Sequence, residues 1–144
     1  MSADPNAVLF VCTFNRVRSP MAAGLMRRLY GAEVTVDSCG LEPGEEVDPL
    51  AAAVMAEIGV DLSEHMPKRL DDLIAEGRFG QVVALSEEAW GCVQARINGG
   101  VALSWPTPDP TESEGSRDMR LEAYRLTRQH LQALILDRFG PPEA

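Results

Sequence analysis

Several things are scarce in this chain, and each scarcity removes a class of protein. Its three cysteines, Cys12, Cys39 and Cys92, are scattered with no Cys-x-x-Cys pair, and it has only two histidines, His65 and His130. Neither a disulfide framework nor a zinc site is supported, and no cofactor or metal is expected. Basic residues are outnumbered, 13 Lys and Arg against 22 Asp and Glu, leaving a formal charge of −9. Nucleic acid is therefore not an expected partner, because a phosphate backbone needs a basic face. Long apolar runs are missing as well. The longest uncharged stretch near the start, Pro5 to Asn15, is too short to cross a bilayer and has no basic flank before it. The expectation is a soluble, cytoplasmic protein with no membrane partner.

What is present suffices for one domain over residues 1–144, a length that buries a core without metal or cross-links. No repeat, linker or low-complexity tract interrupts it. The chain is organised around residues 7 to 24. Ala7 to Val11 is an apolar, partly β-branched run suited to a buried parallel strand, and from Ser19 onward the residues read as a helix. Ser19 suits the N-cap and Pro20 the first helical position. The turn between strand and helix can then point backbone N–H groups at one spot beside the positive end of the helix dipole. A cysteine at that spot, Cys12, has its attacking thiolate form stabilised. Arg18 adds a planar fork able to hold two oxygens of a phosphate or similar oxyanion.

The rest of the chain alternates strand and helix. Ser19 to Tyr30 reads as a helix ended by Gly31, and Val34 to Cys39 as a second strand, in which Cys39 packs. Gly40 to Val47 is a loop at the carboxyl edge of the sheet, carrying Glu42, Glu45 and Glu46. It is either a solvated acidic loop or a wall that disfavours acidic substrates. Asp48 and Pro49 open a helix whose buried stripe is Leu50, Val54, Met55 and Ile58, ended by Gly59. Val60 to Arg69 is a connector, where Ser63 and His65 are expected to make local hydrogen bonds. Leu70 to Glu76 reads as a short helix, Gln81 to Leu85 as a third strand and Glu87 to Arg96 as a helix. Gly99 and Gly100 make a turn before a fourth strand, Val101 to Trp105. Pro106 to Ser116 is a proline-rich loop, and Arg117 to Phe139 is the closing helix, with an apolar stripe from Leu121 and Tyr124 to Phe139 and a solvated His130. This alternation predicts an α/β fold: a right-handed three-layer α/β/α sandwich with a four-stranded parallel sheet.

Val8-Leu9-Phe10-Val11-Cys12, then Asn15, then Arg18-Ser19-Pro20-Met21-Ala22, resembles the signature of the low-molecular-weight protein tyrosine phosphatases and of the arsenate reductases that share their fold. Asp109-Pro110 resembles the general-acid motif of that family. The resemblance implies hydrolysis of a phosphomonoester, most plausibly phosphotyrosine, through a cysteinyl-phosphate intermediate, with a phosphorylated protein or a small phosphomonoester as partner. Cys12 would be the nucleophile, Arg18 the oxyanion clamp and Asp109 the general acid. The loop Thr13, Phe14, Asn15, Arg16 and Val17 would bind the oxyanion, with Asn15 pinning the turn and Ser19 donating to the Cys12 sulfur.

Departures from the pattern bear on substrate. Phe14 stands where relatives often have Gly, Arg16 replaces a typically apolar residue, and Thr111-Glu112 replaces the aromatic pair that flanks phosphotyrosine in many relatives. Phe14 and Trp105 remain candidates to stack on an aromatic ring, although Trp105 at a strand end suits the core better. Trp105-Pro106-Thr107-Pro108-Asp109-Pro110 also resembles the stretch before the acid in arsenate reductases of this fold. The alternative is therefore arsenate reduction with an external thiol donor. In the thioredoxin-linked reductases a cysteine pair follows the third strand; here Ser86 occupies the place of the first, and only Cys92 stands near the second.

Overall fold

The structure is a computed structural model that describes residues 4–97 and 100–142. Four parallel strands, β1 (Asp4–Cys12), β2 (Thr35–Gly40), β3 (Phe79–Ala84) and β4 (Val101–Ser104), form one sheet in the order β2-β1-β3-β4. The helices are α1 (Arg18–Tyr30), α2 (Pro49–Ala56), α3 (Leu70–Ile74), α4 (Glu87–Arg96) and α5 (Arg117–Phe139).

The two-residue period of β1 explains the layers. Val8, Phe10 and Cys12 pack in one core with Met21, Met26, Val54, Leu131 and Ile135 from α1, α2 and α5. Ala7, Leu9 and Val11 point the other way, into a second core with Leu70 and Leu73 of α3 and Ala89 and Val93 of α4. Both faces of β1 are buried, which is why its sequence is continuously apolar rather than alternating. The predicted three-layer α/β architecture is what the chain adopts.

Most predicted elements are present within a residue or two, with informative exceptions. The first strand begins at Asp4 rather than Ala7, because Asp4 N–H donates to the Arg78 carbonyl at 3.2 Å and pairs beside Phe79 across a register shift. Ser19 does not cap α1. The helix starts at Arg18 with Val17 at the capping position and no side-chain cap, and Ser19 is buried within the first turn. Asp48 does cap α2, its Oδ1 accepting from Leu50 N–H at 2.8 Å. That helix ends at Ala56, three residues before Gly59. A short helical turn, Pro110–Glu112, follows Asp109 in the stretch read as plain loop. Trp105 lies past β4 and is core, packed against Phe10 and Phe139 with ring centroids 6.0 and 6.4 Å away. Gly99 of the expected turn lies outside the described residues.

Strand order decides where a site can form. From β1 the chain crosses to β2 on one side and then to β3 on the other, and such a reversal opens a crevice at the carboxyl ends of the strands. The segments after β1, β2 and β4 all emerge at that edge.

Candidate active site

Between Cys12 and Val17 every peptide carbonyl is paired away from the turn. The carbonyls of Cys12, Thr13, Phe14 and Arg16 accept from the N–H groups of Leu41, Glu42, Gly44 and Asp48, at 2.9 to 3.2 Å. The Asn15 carbonyl meets His65 Nε2 at 2.8 Å, and the Val17 carbonyl accepts from Met21 within α1. By contrast, no backbone N–H from Thr13 to Arg18 has a protein acceptor among the described residues. Backbone donors are rarely left unpaired in folded proteins, so a turn with its carbonyls tied back and its donors free is a nest for an anion. The positive end of the α1 dipole lies at the same place.

Asn15 holds this conformation. It is fully buried with φ of 55°, in the left-handed region that Asn tolerates better than most residues. Its Nδ2 donates to Ser19 Oγ at 2.7 Å and to Ser38 Oγ at 3.0 Å, while its Oδ1 accepts from Lys68 N–H at 2.9 Å. Because Ser19 Oγ accepts from Asn15, its single hydrogen is left to donate either to Cys12 Sγ, 2.9 Å away, or to the Cys39 carbonyl, 3.3 Å away. Gly40 is required where β2 passes the turn: a Cβ there would meet Asn15 N at 2.8 Å and Phe14 C at 2.9 Å, both backbone atoms.

Arg18 and Asp109 meet across the crevice. Arg18 Nη1 donates to the Thr107 carbonyl at 3.1 Å, and Nη2 lies 4.0 Å from Asp109 Oδ2. The two oxygens of Asp109 differ. Oδ1 accepts from Thr111 N–H at 2.9 Å and from Thr111 Oγ1 at 2.7 Å, leaving Oδ2 as the one able to exchange a proton. Cys12, Arg18 and Asp109 line one cavity of about 320 Å³, together with Phe14, Arg16 and Val17.

Four more residues line it that sequence reasoning did not assign to the site: Asp48, Thr111, Arg120 and Tyr124. Tyr124 was grouped with the apolar stripe of α5, but its hydroxyl donates to Asp48 Oδ2 at 3.1 Å. Burial and the adjacent Asp48 charge push that phenol up, so it stays a donor. A buried tyrosine needs a hydroxyl partner, and that was the available signal. Glu42, Glu45 and Glu46 do not line this cavity; Glu45 and Glu46 border a neighbouring groove with Phe14 and Arg16, and it is the backbone of their loop that supports the turn. His65 makes the expected local bond through its backbone N–H, which donates to the Leu62 carbonyl at 3.0 Å, while its ring reaches fifty residues back to Asn15. Burial pushes its pKa down, favouring the neutral ring, and because the Asn15 carbonyl can only accept, Nε2 carries the proton. His130 is half-buried and lies 3.2 Å from the Pro106 carbonyl, so it is not simply solvated.

The other cysteines lie on the opposite face of the sheet from Cys12. Cys39 packs in the core beneath α3 and α4, and burial first, then the nearby Cys12 and Asp37, push its thiol up. Cys92 packs against that core from α4. Ser86 stands near the turn, its Oγ 3.3 Å from Thr13 Oγ1, and caps α4 through Ala89 N–H. Cys92 is six residues further along, about 9 Å of helix rise away. Among the described residues, no three His, Cys, Asp or Glu gather as a metal would require, and no helix is long and apolar enough to cross a membrane.

Residues 7–102 match the model of a family described as low molecular weight phosphotyrosine protein phosphatase. An arsenate reductase of Halalkalibacterium halodurans is 31% identical over 128 residues, covering 89% of this chain and 91% of that protein. A glutaredoxin arsenate reductase of Synechocystis sp. is 39% identical over 128 residues, covering 89% and 92%. Among solved structures, a low molecular weight protein tyrosine phosphatase from T. tengcongensis superposes with a TM-score of 0.77 at 26% identity, covering 92% of this chain and 97% of that one.

Proposed function

The chain belongs to the low molecular weight phosphotyrosine protein phosphatase family, and from that premise we propose that it hydrolyses phosphomonoesters, aryl esters such as phosphotyrosine among them, through a cysteinyl-phosphate intermediate. The observation that carries this reading is the run of N–H groups from Thr13 to Arg18, on the turn that follows Cys12, with no protein acceptor among the described residues. They match the oxygens of a tetrahedral dianion and strengthen as charge builds on them in the transition state. Cys12 Sγ attacks phosphorus, and the bond to the ester oxygen breaks as Asp109 Oδ2 delivers it a proton. In the second step Asp109 takes a proton from water, the hydroxyl oxygen attacks phosphorus, and the S–P bond breaks to return the sulfur and release phosphate. Arg18 turns its fork onto two phosphoryl oxygens, and Ser19 O–H steadies the sulfur as it becomes the leaving group.

A second reading is favoured by the names of the relatives: arsenate reduction with an external thiol. Cys12 would displace a hydroxyl of arsenate to form an S–As bond. An external thiolate would then attack Sγ, the S–As electron pair leaving with arsenic as arsenite, and a further thiol would reduce the resulting mixed disulfide. An internal relay is disfavoured, because Cys39 and Cys92 pack across the sheet and Ser86 cannot exchange.

The test runs aryl phosphates of graded leaving-group pKa on wild type and Asp109→Asn, beside arsenate with a thioredoxin or a glutaredoxin and glutathione system. Phosphatase chemistry predicts a loss in Asp109→Asn that widens with leaving-group basicity, within about a hundredfold to ten-thousandfold. Negligible aryl phosphate turnover together with glutathione-dependent arsenate reduction would overturn it in favour of the second reading.

A further inference from the structure

Arg16 stands on the turn and Arg120 on α5, on different walls of the cavity that holds Cys12 and Arg18. Neither is committed to a protein carboxylate. Arg120 has no hydrogen-bond or ion-pair partner for its guanidinium among the described residues, and Arg16 uses only Nε, donating to the Glu46 carbonyl at 2.7 Å. That anchor leaves both terminal nitrogens of Arg16 free while fixing its direction. The loop is shaped to receive it, since a Cβ at Gly44 would strike the Arg16 stem, with Cγ at 3.0 Å. Two carboxylates share the cavity: Asp109 faces Arg18 and accepts from Thr111, and Asp48 is already occupied, with Oδ1 capping α2 and Oδ2 accepting from Tyr124.

We propose that Arg16 and Arg120 form a second oxyanion subsite above the catalytic cradle, so that the preferred substrate is a phosphomonoester carrying another carboxylate or phosphate. The inference rests on reading the cradle as the seat of phosphoryl transfer. Guanidinium groups are weakly hydrated forks suited to oxyanions, and two of them without carboxylate partners beside Arg18 concentrate positive charge in a chain whose net charge is −9. The aromatic pair is absent after Asp109-Pro110, with Thr111 lining the cavity there instead, so on that wall the subsite supplies discrimination by charge.

Phosphonates test this without turnover, because their P–C bond is not hydrolysed. Calorimetry would compare benzylphosphonate with its 4-carboxy and 4-phosphonomethyl derivatives. The subsite predicts that at least one doubly functional ligand binds wild type about tenfold more tightly than benzylphosphonate at low salt, with the better of the two naming the oxyanion. The preference should drop several-fold in Arg16→Leu and in Arg120→Leu, vanish in the double variant, and be partly kept by Arg120→Lys. Using the ratio between ligands cancels any loss common to all of them. Equal binding of the three ligands by wild type, or an unchanged ratio in the double variant, overturns the subsite while leaving the cradle intact. Failure of every phosphonate to bind would instead refute the reading of the cradle itself, and the subsite with it.

Discussion

Asn15 tests whether the turn is held by its side chain or by chain connectivity alone. Asn15→Ala removes three hydrogen bonds, to Ser19 Oγ, Ser38 Oγ and Lys68 N–H, all in a buried setting. At about 1 kcal/mol each, they account for about 3 kcal/mol, and more if the abandoned partners stay dry. Alanine also inherits a φ of 55°, which costs it about 1 kcal/mol. The sum of about 4 kcal/mol is a large share of the roughly 5 to 15 kcal/mol that stabilises an ordinary domain. Asn15→Gly removes the same hydrogen bonds but not the backbone tolerance, so it should be more stable than Asn15→Ala by roughly 0.5 to 1 kcal/mol despite its extra freedom when unfolded. Urea melts with matched m-values measure both, and loss of phosphate binding should accompany them. An alanine variant as stable as the glycine variant, or a loss under about 1 kcal/mol in either, would refute the argument.

Two further perturbations touch the same turn and a third tests the packing of α2 on α5. Gly40→Ala places a methyl against the backbone of Phe14 and Asn15; vanadate affinity should fall at least tenfold, with about 1 to 3 kcal/mol of destabilisation, and unchanged affinity would show that the turn gives way freely. His65 has a folded pKa pushed below its ordinary 6.5, so as pH falls below about 6.5 the unfolded chain gains a proton that the folded one resists, and stability drops. Urea midpoints between pH 7 and 5.5 should therefore decline more steeply in wild type than in His65→Gln, and parallel slopes would contradict the assignment. Glu57, at the end of α2, is held at about 2 by hydrogen bonds from Arg125 and then Arg128 of α5. Its contribution is present above the ordinary value near 4.5 and is lost as pH falls toward 2, so the stability gap between wild type and Glu57→Gln should narrow from pH 5 to 3.5; a constant gap would argue against the ion pair.

Much of this protein is local, and what is local could be read from the chain. The continuous apolar run within β1, the Asp-Pro start of α2 and the Glu87 start of α4 depend on neighbours within a few residues, and each formed where those residues indicated. Strand and helix alternation fixed the layer order, because parallel strands need crossovers and crossovers have one hand. Cys12 and Arg18 stand out on the same grounds, after a strand and before a helix, whereas Asp109 stands out only through the resemblance; all three line one cavity. What could not be read depends on distant partners. Ser19 looks like a cap by propensity, yet Asn15 and Cys12 draw its hydroxyl into the site. The outward pairing of the turn's carbonyls needs residues 41–48 and His65, which no spacing within the turn announces. Tyr124 and Arg120 enter the cavity only through the rotation of α5 on the sheet. One residue of rotation moves a side chain about 100° around a helix, and packing against the core, not periodicity, sets it. Composition and pattern therefore determined the sheet and the address of Cys12 and the turn after it, while tertiary packing alone decided which side chains line the cavity beside them and which cysteines lie across the sheet.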